Sequence, residues 1–564
     1  MRAASNGCSC KACHGPACLA MMREMSVRFD LPANTTVTEP AFATARACAE
    51  WLEALPLTNA ATAQGRLREQ LTLLYGSGVR PGPLSEVLEK LREAVLFVQA
   101  EMARKFSFRP LPLADFELLA YNGTVDLWRC FGQSYQVCVQ SVLDGDLKSD
   151  VARVCQRAID VQARLILDLL RANSEIPPSD WQLLHKLYHA AELAGVAADK
   201  VKDPSLRETA ATNCVATYAR PVLIALGAPQ EWSARQTQMI SRWTERWATK
   251  ITISFNPPAK PVKPPVQVDL SAGRGGYRPE PSRAPDAPND NVRHLDISDL
   301  AKSIKKRVIL LRKGESPTKL GLGEDCVMPA CEQTLYGLYQ HWCDGRAGRE
   351  QGRRVVSGTA LLVGGLVPIH YYMSGKPFKQ PGNPTELSAK QRQEIATFGR
   401  VATRDDADHS QIHGFVLEEW AMKDESLAGL RLTRAKGGLG MRVAVGQLIA
   451  TRAADARAFM VAVVRWAQWL EGGDLMIGLK SLPGIPAVLA ARQTGLNVVS
   501  EKYQQVLHLP EVQSVHAPET LLLPLAWFKA GRVLDVYGER AWQVRLGTMV
   551  ERGLDFERCT FGPV

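Results

Sequence analysis

The period of the apolar positions changes along the chain. Over residues 41–254 apolar side chains recur at three-and-four spacing. Leu84, Val87, Leu88, Leu91, Val95 and Val98 form one stripe behind a Pro-Gly-Pro break. Val151, Val154, Ala158, Val161, Leu165 and Leu169 form another after Ser149-Asp150, and Trp181, Leu184, Tyr188 and Ala191 a third after Ser179. That period puts the stripe residues on one face of a helix, and Asp and Ser are favoured capping residues, so residues 25–255 are expected to fold as an all-α domain. Such stripes name no ligand.

The periodicity stops over 256–292. Pro257-Pro258, Pro264-Pro265, Pro279, Pro281, Pro285 and Pro288 bring no amide donor, and Gly273, Gly275 and Gly276 bring no side chain to pack. That composition predicts a semi-extended linker. Helical spacing returns at Leu300, Ile304, Val308 and Leu311, then around Leu335, Leu338 and Trp342, before an apolar run at 359–369. A small α/β middle domain over 293–397 is expected. From Gly414 the texture is of short runs, such as Phe415-Val-Leu-Glu-Glu-Trp, Leu430-Arg-Leu and Leu475-Met-Ile-Gly-Leu, separated by glycine-rich turns. Short strands with such turns predict a small antiparallel barrel over 398–490, and four more runs after 520 predict a short second β module over 491–564. The fold class is multidomain α+β.

Composition narrows the function classes. A chain of 564 residues is too long for one core, and 46% hydrophobic with 22% charged residues is ordinary globular usage. The run at 359–369 is too short for a membrane span and holds two glycines and a proline. The amino terminus lacks the order of a signal peptide, so a cytoplasmic protein is expected. Cys8, Cys10, Cys13 and Cys18 crowd the start beside His14, but no second Cys-x-x-Cys half completes a zinc ribbon. Residues 1–24 therefore read as disordered or as a start-site extension ahead of Met25. His185 and His189 lie four apart, yet Lys186 stands where a zincin places glutamate, so they read as packed or surface histidines. The net charge of +10 favours anionic partners without singling out nucleic acid.

Two short motifs carry the chemistry. Arg400-Val-Ala-Thr-Arg404 reads R-x-x-x-R, and Asp424-Glu-Ser-Leu-Ala-Gly429 reads D-x-S-x-x-G. Either alone arises readily by chance; both, in this order ahead of a barrel pattern, are far more specific. Together they resemble the PilZ family of cyclic dimeric GMP receptors. The resemblance implies a PilZ-type β-barrel and cyclic dimeric GMP as ligand, bound by Arg400, Arg404, Asp424, Ser426 and Gly429. It implies no catalytic residue, metal or further cofactor, and an output in motility, surface attachment or biofilm formation, with a protein partner met through the helical domain.

The residue types suit such a ligand. A guanidinium forks onto phosphate oxygens, pairs with guanine O6 and N7, and stacks on the purine. A carboxylate such as Asp424 can accept from guanine N1–H and N2–H, Ser426 can donate beside it, and Gly429 permits close backbone approach. The chain has no G-x-x-x-x-G-K-[ST], G-x-S-x-G or H-E-x-x-H motif, and Glu471-Gly-Gly-Asp474 lacks the Glu-Phe of a cyclase signature. A receptor, not an enzyme, is expected. The alternative is a basic nucleic-acid-binding protein using the cations at 302–312 and the small barrels. Few aromatics interleave with cations in the β segments, which argues against it.

Overall fold

The helical stripes become buried faces of one bundle. The computed structural model describes residues 27–31, 39–258, 266–278, 289–344, 352–381, 414–426, 428–438, 440–494 and 502–564. Within it α1 (Ala45–Glu53), α2 (Ala60–Gly76), α3 (Pro81–Phe106), α4 (Asp115–Leu143), α5 (Val151–Arg171), α6 (Pro178–Leu193), α7 (Cys214–Leu226) and α8 (Ala234–Trp247) pack together. All six stripe residues of α3 are buried, as are Val154, Ala158, Val161, Leu165 and Leu169 of α5. The expected caps are not used. Asp150 takes a left-handed backbone and pairs with Arg153 at 2.6 Å, and Ser179 lies inside α6 because Pro178 begins it.

Helix α5 is the central one, and it buries charge on its polar side. Buried ions persist only when paired, because isolated charge is expensive to remove from water. Arg92 accordingly reaches Asp160 at 2.6 Å and Asp203 at 2.9 Å, while Arg157 reaches Asp203 at 2.9 Å and Glu89 at 3.0 Å. Asp203 follows a short ribbon strand, β1 (Val201–Lys202), which pairs with β2 (Ala211–Thr212).

The described part of the 256–292 segment is not a spacer. A three-stranded antiparallel sheet joins β3 (Thr252–Ser254), β4 (Val266–Asp269) and β5 (Val292–Asp296), with β5 in the centre. Val266, Val268 and Leu270 are buried at period two. A Cβ at Gly273, Gly275 or Gly276 would come within 2.6, 2.9 and 2.7 Å of Pro178, Trp181 and Val222. These glycines serve close packing on α6 and α7, a role that composition alone does not separate from flexibility.

The expected middle domain is divided between its neighbours. Helices α9 (Ser298–Arg312) and α10 (Ala330–Tyr339) join the helical body. Trp342 donates its ring N–H to the Leu223 carbonyl at 2.8 Å, and Trp243 to that of Leu322 at 2.9 Å. Cys326 and Cys331 are disulfide-bonded just before and at the start of α10.

The apolar run at 359–369 splits into strand and helix. Strands β6 (Arg354–Val355) and β7 (Thr359–Gly364) precede α11 (Leu366–Ser374), and β8 (Glu418–Ser426), β9 (Gly429–Arg434), β10 (Leu448–Ala453), β11 (Met460–Trp469) and β12 (Leu475–Ser481) follow. The order β8-β7-β10-β11-β12-β9 closes on itself through β8–β9 pairing, and β6 continues the β7 edge along β8. The first barrel thus begins near 354, not 398, because its first strand comes from the expected middle domain.

The second β module is a complete closed barrel. Its strands are β13 (Ala487–Gln493), β14 (Gln504–Leu509), β15 (Thr520–Leu523), β16 (Val533–Tyr537), β17 (Ala541–Arg552) and β18 (Glu557–Pro563). They close in the order β13-β14-β15-β18-β17-β16 around Val506, Leu521, Leu523, Leu534, Val544 and Cys559. Closure leaves no unpaired edge, which makes so short a module viable.

The helical body docks on the first barrel through main chain. Leu111 and Val443 exchange N–H···O bonds at 2.8 and 2.7 Å, and Trp469 bonds through N–H to Asn173 and through its carbonyl to Glu175 at 2.8 and 2.7 Å. One buried apolar cluster runs from Leu67 and Ile159 to Trp420, Leu432, Ile449 and Ile477.

Candidate functional site

The D-x-S-x-x-G residues form the β8–β9 hairpin. Asp424 lies near the end of β8, Ser426 pairs with Gly429 across the turn, and the Ser426 hydroxyl donates to the Gly429 carbonyl at 3.3 Å. Gly429 also pairs with Lys480 of β12, and a Cβ there would overlap the main-chain carbonyl oxygen of Leu479. Its motif position thus reflects strand contact, since any side chain would push β9 away from β12.

Asp424 is 3% exposed. Its two carboxylate oxygens are taken by separate arginines: Arg353 on Oδ1 and Arg431 on Oδ2. Arg431 faces Asp424 across the β8–β9 ladder, just past a bulge between Met422 and Asp424. Arg353 precedes β6, whose Val355 pairs with Asp424 from the other side. Next to this triad Arg354 forks onto Glu425. With both oxygens engaged, Asp424 does not offer a free carboxylate to a guanine edge. It holds two guanidinium planes apart and neutralises one of their two charges, leaving a local excess of one positive charge. The Arg431 Nε is buried without a hydrogen-bond partner, so the triad retains an unused donor.

Arg400 and Arg404 lie outside the described residues, in the connection between α11 and β8. Among the other R-x-x-x-R sequences of the chain is Arg349-Glu-Gln-Gly-Arg353, of which Arg349 also lies outside the described residues. This pair stands directly before the first strand of the barrel, the position the motif requires. The signal was present, but the intervening α11 and its long connection make 400–404 nearer to Asp424 in sequence. Arg431 carries no motif; strand register alone brings it to the site.

The other sequence candidates have structural roles. His185 is fully buried, with Nδ1 2.8 Å from the Tyr218 hydroxyl and Nε2 2.8 Å from the Arg274 carbonyl. Burial holds it below the usual histidine range, partly opposed by the bond to Arg274. Among the described residues no three His, Cys, Asp or Glu side chains converge on a metal position. The glycine-rich residues after Lys436 form the turn leaving β9, and 471–474 form the β11–β12 turn.

Comparison with known proteins matches both ends of the chain. The model of the N-terminal domain of the cyclic-di-GMP receptor FimW covers residues 46–259, which span α1 to β3. The model of the FimW C-terminal β-barrel domain covers residues 489–564, the second barrel. The cyclic-di-GMP receptor FimW of Pseudomonas aeruginosa is 22% identical over 537 residues, 87% of this chain and 86% of that protein. That alignment is too long to leave out the first barrel, where the motif hairpin lies. Both terminal domains, together slightly more than half of the residues, thus match those of FimW receptors, and the chain aligns with one such receptor along most of its length.

Proposed function

We propose that this chain is a receptor for cyclic dimeric GMP and that the ligand seats at the β8–β9 hairpin of the first barrel. The observation that carries the site is the Arg353–Asp424–Arg431 triad, in which a buried carboxylate fixes two guanidiniums at a motif hairpin. Preset arginines cost less to order on binding than free ones, and each can fork onto a phosphate or onto guanine O6 and N7. Arg349 is the natural second member of the Arg353 pair, while Ser426 lies at the hairpin tip. The chain acts by binding rather than by catalysis. Among the described residues no helix is long and apolar enough to cross a membrane, and a cytoplasmic location with an output in motility or surface attachment completes the proposal.

Calorimetry with cyclic dimeric GMP is the test. Arg353→Ala and Arg431→Ala should each weaken binding at least tenfold, because a lost charge-assisted bond costs about 1.5–3 kcal/mol and tenfold is about 1.4. Asp424→Ala should do the same by freeing both arginines. Arg400→Ala and Arg404→Ala form the competing pair. Loss of binding in these two, with Arg353→Ala and Arg431→Ala unaffected, would move the site. No binding by the unaltered protein would end the receptor reading.

A further inference from the structure

A wide groove separates the segment after α11 from the second barrel, with a cavity volume of about 1490 Å³. One wall is residues 376–381, the other is the β16–β17 turn, and residues 486–489 of and before β13 form the floor. Three features set it apart from an ordinary surface cleft.

The first is charge. Lys376, Lys379 and Arg540 are exposed along the two walls, and none has an ion pair among the described residues. Glu539 is the one acid among the lining residues, so the groove carries a net excess of two positive charges. The second is the pair of aromatic rings at the β16–β17 turn. Tyr537 and Trp542 remain 37% and 36% exposed, although large aromatic rings are normally covered. The third is an orphaned polar atom. His370 is 7% exposed, lines the groove, and its Nδ1 has no hydrogen-bond partner. Burial lowers the pKa of this ring, opposed by its contact with the Leu489 main chain, and leaves a polar atom in the lining for a ligand to meet.

We propose that this groove docks an extended acidic peptide segment of a partner protein, with an apolar side chain seated against Trp542. The volume exceeds the roughly 300–1,000 Å³ of small-molecule pockets, which favours a chain over a compact ligand. The unpaired cations match carboxylates, the exposed rings provide a desolvated anchor of the kind that dominates peptide affinity, and the His370 Nδ1 can meet a peptide group. Pro486 in the lining offers no competing donor. The proposal is independent of the ligand site on the first barrel.

Fluorescence anisotropy on the full-length protein tests it, with a labelled short peptide alternating glutamate and leucine around one tryptophan. Binding should appear, fall at least tenfold in both Arg540→Glu and Trp542→Ala, and weaken as salt is raised. A matched peptide with lysine in place of glutamate should not bind. Both substituted residues are exposed, and an unchanged melting temperature checks that folding survives; should Trp542→Ala melt early, Arg540→Glu decides. Absence of binding, equal binding in the variants, or equal binding of the lysine peptide overturns the proposal. Displacement of the peptide by labelled oligothymidine or cyclic dimeric GMP at matched concentration would overturn the peptide class.

Discussion

The two barrels share strand number and antiparallel closure, yet they are built into the molecule differently. The second has its own apolar core, drawn from its own strands. The first shares its buried residues with both neighbours: Trp420, Leu432, Ile449 and Ile477 belong to the cluster that fills the helical body, Val363, Leu448, Ala450, Val461 and Val463 pack with Leu507, Leu509, Leu522 and Phe556 of the second barrel, and the seam at Leu111–Val443 and Asn173–Trp469 is hydrogen-bonded. The barrel that bears the motif hairpin is thus the one least able to move alone. A ligand that shifts Arg431 acts on β9, a strand whose buried Leu432 belongs to the cluster that fills the helical body. In place of the semi-extended linker expected over 256–292, a shared buried cluster joins the two, which is how a small ligand could reach a partner of the helical domain.

The largest effect should come from separating the barrels. A fragment of residues 484–564 should melt cooperatively, while a fragment of residues 352–482 should expose the side chains it shares with the helical body and fail to do so. Circular dichroism melting checks both, and cooperative folding of the 352–482 fragment would break the contrast.

Gly429→Ala should have a smaller and local effect. The added methyl must displace the Leu479 carbonyl from the β9–β12 ladder, for a cost of about 1–3 kcal/mol, read as a lowered denaturation midpoint. Gly531→Ala is the control in the second barrel. Its left-handed backbone (φ 79°) with open space around it should cost less, about 1 kcal/mol. Equal losses would mean that the contact at Gly429 is not tight.

The smallest effect is a slope with pH. Burial lowers the pKa of both His185 and His370. An unfolded histidine titrates near 6.5, so between that value and the lower folded ones the unfolded chain binds more protons. Stability from these rings is complete above about pH 6.5 and is lost as pH falls through the window. The whole chain should melt lower at pH 5.5 than at pH 7, and His185→Gln should flatten the slope. The 484–564 fragment contains neither ring and should fall less steeply.

What was legible follows from range of contact. The α3 and α5 stripes were readable because burial on a helix repeats every three or four residues within one segment. Asp424, Ser426 and Gly429 were readable because a hairpin is local. The roles of Asp424 and Gly429 were not, since Arg353 and the Leu479 carbonyl lie on other strands and only register joins them. The strand at 359–364 was hidden because an apolar run followed by a helix looks like part of an α/β unit when its barrel partners come after a long connection. Residues 266–278 were hidden for another reason: glycine serves flexibility and close approach alike, and only the neighbouring Trp181 and Val222 tell which.

Part of the seam between the helical body and the first barrel is written in peptide groups, beside the side-chain contacts of Arg442 with Glu117 and of Trp469 with Tyr121. Leu111 and Val443 meet through N–H and C=O, and so do Asn173, Glu175 and Trp469. Selection on side chains acts weakly on such a joint, because nearly every residue except proline brings the same donor and acceptor. Lineages that keep only 22% identity can therefore inherit the same attachment while the residues at it drift. A search by covariation or by retained side chains would find Arg442 and Glu117 but overlook these peptide pairs; a scan with proline, which deletes the donor, would find them.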